Sequence, residues 1–217
     1  MRAYKFLNER FGLKSLYEKR LKQSRVNELN DLFELTPFDL KDPTIRNTFI
    51  QTRGDLNEEK GLVCFSSGWR DPVIWAHYSD NHRGLCLGFD IPDAGGDVDD
   101  VGYVSYVERP LTFPNSFLQL DDAERYKIVR KTLFTKSINW EYEHEVRWWG
   151  PLAPEENGLR FLEFDDTLRI VEVIIGARCG LTPSNITRAL GALTSDVKIA
   201  KAGVAHDRFE MIEGNGR

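Results

Sequence analysis

The chain has 217 residues, of which 41% are hydrophobic and 12% aromatic, which is enough for an ordinary globular protein with a substantial core. Its apolar runs are far too short to span a bilayer, and its first residues lack the apolar segment of a signal peptide. The formal net charge of −5 argues against sequence-independent binding of nucleic acid over the whole surface. Three cysteines without a C-x-x-C pair agree with a reducing compartment, so we expect a cytoplasmic protein without membrane contact.

Strands and helices follow one another without regular β-α-β alternation. The pattern predicts strands at 4–7, 61–66, 84–91, 102–108, 142–149, 159–164 and 168–176, with final segments at 197–200 and 207–212. It predicts helices at 13–23, from 72, from 121 or 122, and at 182–193. A loop is expected at 24–43 and a surface loop at 92–100, while residues 44–52 fit a strand or a helix. This order predicts an α+β fold with mixed or mainly antiparallel sheets and a few flanking helices. We expect one domain over residues 1–217, with the motifs in 1–150 and C-terminal strands and a helix in 151–217.

Residues 69–90 hold two of the four histidines and two of the five tryptophans. In the helix that Asp71 caps, Trp75 and Tyr78 are three positions apart and share a face, while His77 points towards the side of Ile74. An aromatic face beside an imidazole suits stacking of a nicotinamide or a base. The alternative is a core helix with one satisfied histidine.

Residues 140–149, W-E-Y-E-H-E-V-R-W-W, place acids and a base among aromatic residues. Strand alternation would put four charged side chains on one face: Glu141, Glu143, Glu145 and Arg147. Three like charges repel, so we expect at least one to be paired or to have a raised pKa, and Arg147 is the expected partner of Glu145. The alternative is an exposed strand face that nearby lysines balance. Together the two segments look like two walls of a cleft.

The usual signatures of large enzyme classes do not occur in the sequence. It has no P-loop, no G-x-G-x-x-G after a strand, no G-x-S-x-G and no H-E-x-x-H, and its cysteines and histidines lack zinc spacing, so we expect no metal site of that kind. Five cations crowd the first predicted helix and its end: Lys14, Lys19, Arg20, Lys22 and Arg25. They are either a local nucleic-acid-binding face or a solvated helix face.

Several short motifs make the sequence resemble the bacterial domain-of-unknown-function family twenty-nine seventy-one, which is met in abortive-infection and defence settings. The matching pieces are Y-K-F at 4–6, N-D-L-F-E at 30–34, C-F-S at 64–66, W-A-H-Y at 75–78, G-L-C-L-G-F-D at 84–90 and W-E-Y-E-H-E-V-R at 140–147. They lie in the family's order within residues 1–150. Leu32 stands where the family usually has proline.

The order of elements is also similar to that of ADP-ribosyltransferases, especially toxins that modify DNA. This resemblance implies NAD as substrate, a cofactor-binding residue on the first strand and a catalytic glutamate on a late strand. Carried over by position, it makes Glu145 the catalytic acid, places Lys5 near the cofactor and lets Trp75 or Tyr78 line the nicotinamide pocket. We therefore take Glu145, His77 and Tyr78 as candidate catalytic residues, and Tyr4, Lys5, Ser24, Asn30, Trp75 and Arg147 as candidate cofactor-binding residues. Lys5 stands where those enzymes usually carry histidine or arginine.

The leading hypothesis is therefore an NAD-dependent ADP-ribosyltransferase-like effector that modifies a nucleic acid or a protein, with an antitoxin or another defence-system protein as a further partner. One alternative is a non-catalytic sensor module that binds a nucleotide or a phage component in the aromatic cleft. A second is a metal-dependent nuclease that uses Asp31, Glu34 and Glu143. The sequence alone leaves open whether Glu145 and Trp75 share one cleft.

Overall fold

A computed structural model describes residues 1–93, 100–114 and 117–214. Its α-helices are Glu9–Glu18 (α1), Pro43–Glu59 (α2), Pro72–Tyr78 (α3), Asp122–Leu133 (α4) and Pro183–Leu190 (α5). Its strands are Arg2–Leu7 (β1), Arg20–Gln23 (β2), Lys60–Ser66 (β3), Leu85–Asp90 (β4), Val101–Tyr103 (β5), Ser105–Val107 (β6), Thr135–Ser137 (β7), Glu145–Pro151 (β8), Glu155–Glu156 (β9), Leu159–Glu163 (β10), Arg169–Ile175 (β11), Lys198–Val204 (β12) and Met211–Glu213 (β13). Short 3₁₀ helices lie at Val26–Glu28, Phe117–Gln119, Ile138–Glu143 and Gly191–Asp196.

An eight-stranded sheet organises the fold, with the strand order β13-β12-β11-β4-β1-β3-β8-β5. Neighbouring strands are antiparallel except for β11 and β12, which are parallel. A three-stranded sheet, β2-β10-β9, and the parallel pair β6-β7 complete the architecture of the described residues. The predicted α+β class with mainly antiparallel sheets is confirmed.

The large sheet opens between β1 and β3. β1 pairs with β4 over six register pairs and β3 pairs with β8 over seven, whereas β1 and β3 share the single pair Tyr4↔Ser66. Nearer the N-terminal end of β3, Leu62 pairs with Trp149 on one side and with Ser24 on the other. Because Ser24 takes the edge of β3 that faces β1, the two strands diverge and leave a wedge-shaped opening in the sheet.

Apolar residues cover both faces of the sheet. On one face α1, α5 and β2 pack a large core, to which Leu16, Leu21, Leu87, Val146 and Ile186 belong. The other face carries two smaller clusters. One lies beneath α3 and contains Phe6, Ile74 and Trp75, and the other contains Val26, Leu62 and Trp149. The opening between β1 and β3 lies between these two clusters, so it is framed by packed residues on both sides.

Several boundaries differ from the prediction, and three of the differences change an element. The first helix ends at Glu18 instead of near residue 23, because Lys19 adopts the left-handed region (φ 57°) and β2 then pairs with β10. The strand predicted at 142–149 begins at Glu145, because residues up to Glu143 form a 3₁₀ helix and His144 has φ 44°. The strand predicted at 102–108 is divided into β5 and β6.

The undecided segment 44–52 is helical, and the long helix α2 begins where Asp42 caps Thr44 and Pro43 takes the first turn. Most of the surface loop predicted at 92–100 lies outside the described residues. Among the described helices, none has the length and apolar character needed to cross a bilayer.

Candidate functional site

A cavity of about 270 Å³ occupies the opening between β1 and β3. Its walls come from separate parts of the chain: Tyr4, Lys5 and Phe6 of β1, Ser24, Glu28, Leu29, Asn30 and Glu34 of the segment after β2, Cys64, Phe65 and Ser66 of β3, Ile74 and Tyr78 of α3, and Lys136, Glu143 and Glu145 near β7 and β8. The cavity is therefore a consequence of the sheet topology, since it exists where β1 and β3 separate.

The sheet register brings the first strand and the late strand to the same place. Tyr4 is paired with Ser66, and Ser66 is paired with Glu145, so the three residues form one row across β1, β3 and β8. On the other side Tyr4 is paired with Gly88, where a Cβ atom would lie 3.1 Å from the Tyr4 ring. Glycine at this position therefore leaves room for the ring, whose hydroxyl lies 3.3 Å from Oε2 of Glu172.

Ionised side chains form a buried network at the floor of the cavity. Nε of Arg147 lies 2.9 Å from Oε1 of Glu145, and Nη2 of Arg147 lies 3.0 Å from Oε2 of the same carboxylate. Nη1 of Arg147 also lies 2.7 Å from Oε1 of Glu34. Nζ of Lys136 donates to Oε2 of Glu143 at 2.6 Å and to Oε2 of Glu145 at 3.3 Å. The network, which we call the ion cluster, thus joins Glu34, Lys136, Glu143, Glu145 and Arg147.

Burial and charge act against each other in the ion cluster. Burial alone would raise the pKa of Glu145, but the charges of Arg147 and Lys136 outweigh it and lower the pKa from 4.5 to about 2. For Glu34 burial, helped by the charge of Glu145, outweighs the cations Arg147 and Lys136 and raises the pKa. Burial would lower the pKa of Lys136, but Glu145 and Glu143 raise it above its ordinary value. Glu145 and Lys136 are therefore both charged at neutral pH.

Tyr78 connects the ion cluster to the mouth of the cavity. Its hydroxyl donates to Oε1 of Glu143 and accepts a hydrogen bond from Nδ2 of the exposed Asn30 at 3.0 Å. Burial, reinforced by Glu143, raises the pKa of Tyr78 far above its ordinary value. The phenol therefore remains protonated and acts as a donor to the carboxylate.

Lys5 and Cys64 line the wall where the strands separate. The Lys5 amine donates to the carbonyl oxygen of Cys64 at 2.8 Å, and burial lowers its pKa. Burial, reinforced by the charge of Glu145, raises the pKa of the Cys64 thiol well above its ordinary value. The cavity wall thus holds an amine whose pKa is lowered and whose hydrogen-bond partner is a backbone carbonyl.

The loop with the N-D-L-F-E motif forms a tight turn at the mouth of the cavity. Oδ1 of Asp31 accepts a hydrogen bond from the Phe33 amide at 2.9 Å, and Arg53 donates to the carbonyl of Leu32. Leu32 is 86% exposed and Phe33 is 75% exposed. The turn thus holds Asn30 and Glu34 against the cavity while two apolar side chains face solvent.

The structure brings most of the predicted site residues together. Six of them line the cavity: Glu145, Tyr78, Tyr4, Lys5, Ser24 and Asn30. Arg147 is fully buried behind Glu145 and acts on the cavity through that carboxylate. Glu145 and Arg147 are partners, as the sequence predicted.

Trp75 and His77 lie elsewhere. Trp75 is fully buried, with its ring edge-to-face against Phe6 at 5.1 Å and its indole N–H donating to the Trp69 carbonyl at 2.6 Å. Trp75 and Glu145 therefore do not share a cleft. His77 is exposed and lies outside the cavity, where its Nδ1 is 3.0 Å from the Tyr142 hydroxyl. The prediction that it points towards the side of Ile74 is wrong, because the short helix buries Ile74 and turns His77 to solvent.

The sequence reasoning missed Lys136, Ser66 and Cys64 as site residues. The one signal for Lys136 in the sequence was that the acids of residues 140–149 need a positive charge nearby. The alternative in which lysines balance these acids therefore named the right residue type. The predicted face of four charged residues is partly wrong, because Glu141 is exposed and lies outside the ion cluster. The 3₁₀ helix before β8 is the cause, since it replaces strand alternation at Glu141 and Glu143.

Two further expectations depend on charges. Each of the five cations near the first helix is occupied: Lys14 and Arg20 contact Glu18, Lys22 contacts Glu28, Arg25 contacts Glu58, and Lys19 donates to the carbonyl of Ala189. They do not form a free basic face.

The acids of the nuclease alternative are also engaged in other contacts. Asp31 closes its own turn, and Glu34 and Glu143 belong to the ion cluster. Within the described part of the chain, no group of three His, Cys, Asp or Glu side chains is arranged to hold a metal ion.

Comparison with known proteins gives one result. Residues 74–148 match the model of the family described as "Protein of unknown function (DUF2971)". No curated protein and no solved structure matches the chain. The matched segment runs from α3 to β8 and contains Tyr78, Lys136, Glu143, Glu145 and Arg147, whereas β1 and the N-D-L-F-E turn lie before it. Over residues 74–148 the chain is therefore similar to this family of unknown function.

Proposed function

We propose that the cavity binds the nicotinamide–ribose end of NAD and that the protein is an ADP-ribosyltransferase-like enzyme. One observation carries the proposal: Lys5 on the first strand, Tyr78 on α3 and Glu145 on the late strand line the same cavity. The resemblance to ADP-ribosyltransferases gives a cofactor contact to the first strand and the catalytic glutamate to a late strand. The family of unknown function supplies no reaction of its own.

The chemistry of the cavity suits cleavage of the nicotinamide glycosidic bond. When that bond breaks, its electron pair leaves with nicotinamide and positive charge develops on the ribose, as in glycoside hydrolysis. Carboxylates fixed beside the ribose stabilise this charge. The acceptor's nucleophile then bonds to the ribose carbon, and its proton passes to a carboxylate. The Tyr78 ring supplies the aromatic surface on which nicotinamide stacks.

The size of the cavity fits part of the dinucleotide. Small-molecule sites typically enclose roughly 300–1,000 Å³, and 270 Å³ suits the nicotinamide and its ribose rather than the whole of NAD. A shallow second cleft shares Tyr78 with the cavity and is lined by two arginines, Arg10 and Arg83, and two acids, Glu9 and Asp80. We assign the diphosphate and the adenosine to this outer cleft, with Arg10 as the contact for the negative charge, since Arg83 lies 3.8 Å from Asp80.

The acceptor is a nucleic acid or a protein, and the setting that the resemblance suggests is bacterial defence or toxin action with a neutralising or defence-system partner. Because the cations near the first helix are paired, they give no support to a nucleic-acid acceptor over a protein.

The test is release of nicotinamide from NAD by the purified protein, with and without added DNA, RNA or cell extract. Glu145→Gln is compared with wild type, and Glu141→Gln, at an exposed acid of the same segment, is the matched control. We expect release by wild type and by Glu141→Gln, and a loss with Glu145→Gln, with the stimulating additive identifying the acceptor class. Unchanged turnover by Glu145→Gln, or no turnover by folded wild type in any mixture, would remove the proposal.

A second candidate is a non-catalytic module that binds a nucleotide or a phage component. The observation that favours it is the internal pairing of the ion cluster, in which Glu145 is held by both Arg147 and Lys136 as a structural carboxylate would be. It predicts binding without turnover, with Tyr78→Ala abolishing binding and Glu145→Gln leaving it intact. Calorimetric titration with NAD and with ADP-ribose separates the two candidates.

A further inference from the structure

Two carboxylates of the ion cluster, Glu143 and Glu145, face the cavity and share Lys136. They differ in what else they hold, and this difference assigns their roles. We infer that Glu143 is the carboxylate that contacts the ribose, and that Glu145 is a positioning residue that holds Glu143 in place through Lys136. This inference rests on the proposed NAD-cleaving function.

The first argument is the hydrogen-bonding capacity of each carboxylate. An ionised carboxylate accepts about four hydrogen bonds, two at each oxygen. Glu145 accepts from Nε and Nη2 of Arg147 and from Nζ of Lys136, so three of its four places are filled. Glu143 accepts from Tyr78 and from Lys136. Among the described residues, Glu143 therefore keeps two places for a ribose hydroxyl, whereas Glu145 keeps one and is held by three bonds from charged donors.

The second argument is position relative to the mouth. The Glu143 side chain is 10% exposed and that of Glu145 is 4% exposed. Glu143 touches Tyr78, which is hydrogen-bonded to the exposed Asn30, while Glu145 touches the fully buried Arg147. A ligand that enters past Asn30 and stacks on Tyr78 thus meets Glu143 first.

The backbone explains how two acids so close in sequence reach the same lysine. Glu143 ends a 3₁₀ helix, His144 adopts φ 44°, and Glu145 begins β8. The left-handed residue turns the chain between them, so both carboxylates converge on Nζ of Lys136, at 2.6 and 3.3 Å. The Tyr106 hydroxyl accepts the Glu145 amide hydrogen bond at 2.8 Å and fixes the start of the strand.

These contacts give Glu143, Lys136 and Glu145 separate roles in the reaction. Glu143 accepts a hydrogen bond from the ribose hydroxyl, faces the positive charge that develops on the ribose, and takes the proton of the acceptor's nucleophile. Lys136 holds Glu143 beside Tyr78. Glu145, ionised because of Arg147, holds Lys136 at that point.

The experiment compares Glu143→Gln, Glu143→Asp, Glu145→Gln and the control Glu141→Gln in nicotinamide release, in NAD binding by calorimetry and in thermal unfolding. For Glu143→Gln we expect kcat to fall about 100-fold or more, with KM and the Kd for NAD within about threefold, since the lost contact acts on the transition state. Glu143→Asp keeps the charge beside Lys136 and withdraws the carboxylate by one methylene, so we expect it to fold and to lose about tenfold or more in kcat.

A small carboxylate distinguishes contact with substrate from a structural role. In Glu143→Ala, which vacates space facing the cavity, added formate is expected to restore part of the nicotinamide release. In Glu145→Ala the vacated space adjoins Arg147 and Lys136, so formate bound there does not contact the ribose and is expected to restore none.

The outcomes separate this inference from the proposed function. If wild type cleaves NAD and folded Glu143→Gln or Glu143→Asp cleaves it at the wild-type rate, Glu143 is not the contacting residue and the function stands. Formate rescue of Glu145→Ala alone would also reverse the assignment. If folded wild type releases no nicotinamide under any condition, the proposed function fails and this inference fails with it.

Discussion

Glu145 and Arg147 stand two positions apart on β8 and meet through two contacts, Nε to Oε1 at 2.9 Å and Nη2 to Oε2 at 3.0 Å. Side chains at such a spacing point to the same face of a strand, which here is the face that carries the cavity. Arg147 is fully buried, so this ion pair has no competition from water. The ion pair keeps Glu145 ionised, and the Glu145 carboxylate in turn attracts Lys136.

Replacing Glu145 by glutamine should destabilise the fold. The change leaves Arg147 with Glu34 and Lys136 with Glu143, but removes the charge between these two cations. Loss of one partner from a buried ion pair costs roughly 3–5 kcal/mol, and the remaining partners favour the lower end, about 3 kcal/mol. Urea unfolding of the variant and of Glu141→Gln measures the difference. Equal unfolding midpoints would show that the pair does not contribute to stability.

The stabilisation from Glu145 should disappear in acid. The folded-state pKa is lowered from 4.5 to about 2, so the stabilisation is fully present above about pH 5 and is lost as the pH falls towards 2. The gap in unfolding free energy between wild type and Glu145→Gln should therefore be largest at pH 7 and shrink below pH 4.5. A constant gap between pH 7 and pH 3 would contradict the prediction.

Tyr78 should contribute to binding through its ring. Removal of an aromatic stacking partner costs about 1–3 kcal/mol, so we expect Tyr78→Ala to weaken NAD binding about tenfold or more. Tyr78→Phe keeps the ring and loses the hydroxyl, so its Kd should stay within about threefold of wild type. Tyr126→Ala, at a half-exposed tyrosine of α4 outside the cavity, is the control in the same titration. Equal affinity of the alanine and wild-type proteins would exclude stacking on Tyr78.

Gly84 should not tolerate a side chain. A Cβ atom there would lie 2.0 Å from the carbonyl oxygen of Leu7, so the backbone of β1 must move. We expect Gly84→Ala to cost about 3 kcal/mol, at the upper end of overpacked substitutions. Gly54→Ala provides the contrast, since a Cβ atom within α2 meets nothing within 4 Å there. It should stabilise the protein by about 0.5–1 kcal/mol. Both values come from thermal and urea unfolding, and a tolerated Gly84→Ala would contradict the close approach.

The fold class could be predicted from the sequence because buried strands and helices show characteristic patterns of apolar residues. Strands such as β3, β4 and β11 are nearly continuous apolar runs, and Asp71 with Pro72 marks the start of α3 by its local chemistry. The errors lie where a residue other than glycine takes a positive φ. Lys19 and His144 end a helix and begin a strand in this way, and their side chains give no local signal of it.

The sequence predicted the site residues on the first strand and on β8, but it did not predict the lysine between the two glutamates. Tyr4, Lys5 and Glu145 came from motif order, and the sheet register brings them to one cavity. Lys136 carries no motif, and its role depends on the turn that aims Glu143 and Glu145 at it. Trp75 was misjudged because a tryptophan on a short helix suits a core as well as a ligand, and only tertiary packing distinguishes the two.

The single register pair between β1 and β3 also has a mechanical meaning. It divides the large sheet into two paired blocks, β13-β12-β11-β4-β1 and β3-β8-β5. The cavity draws Lys5 from the first block and Glu145 from the second. A molecule seated there joins the two blocks as a non-covalent cross-link, so that its binding energy opposes their separation and the halves of the sheet unfold together.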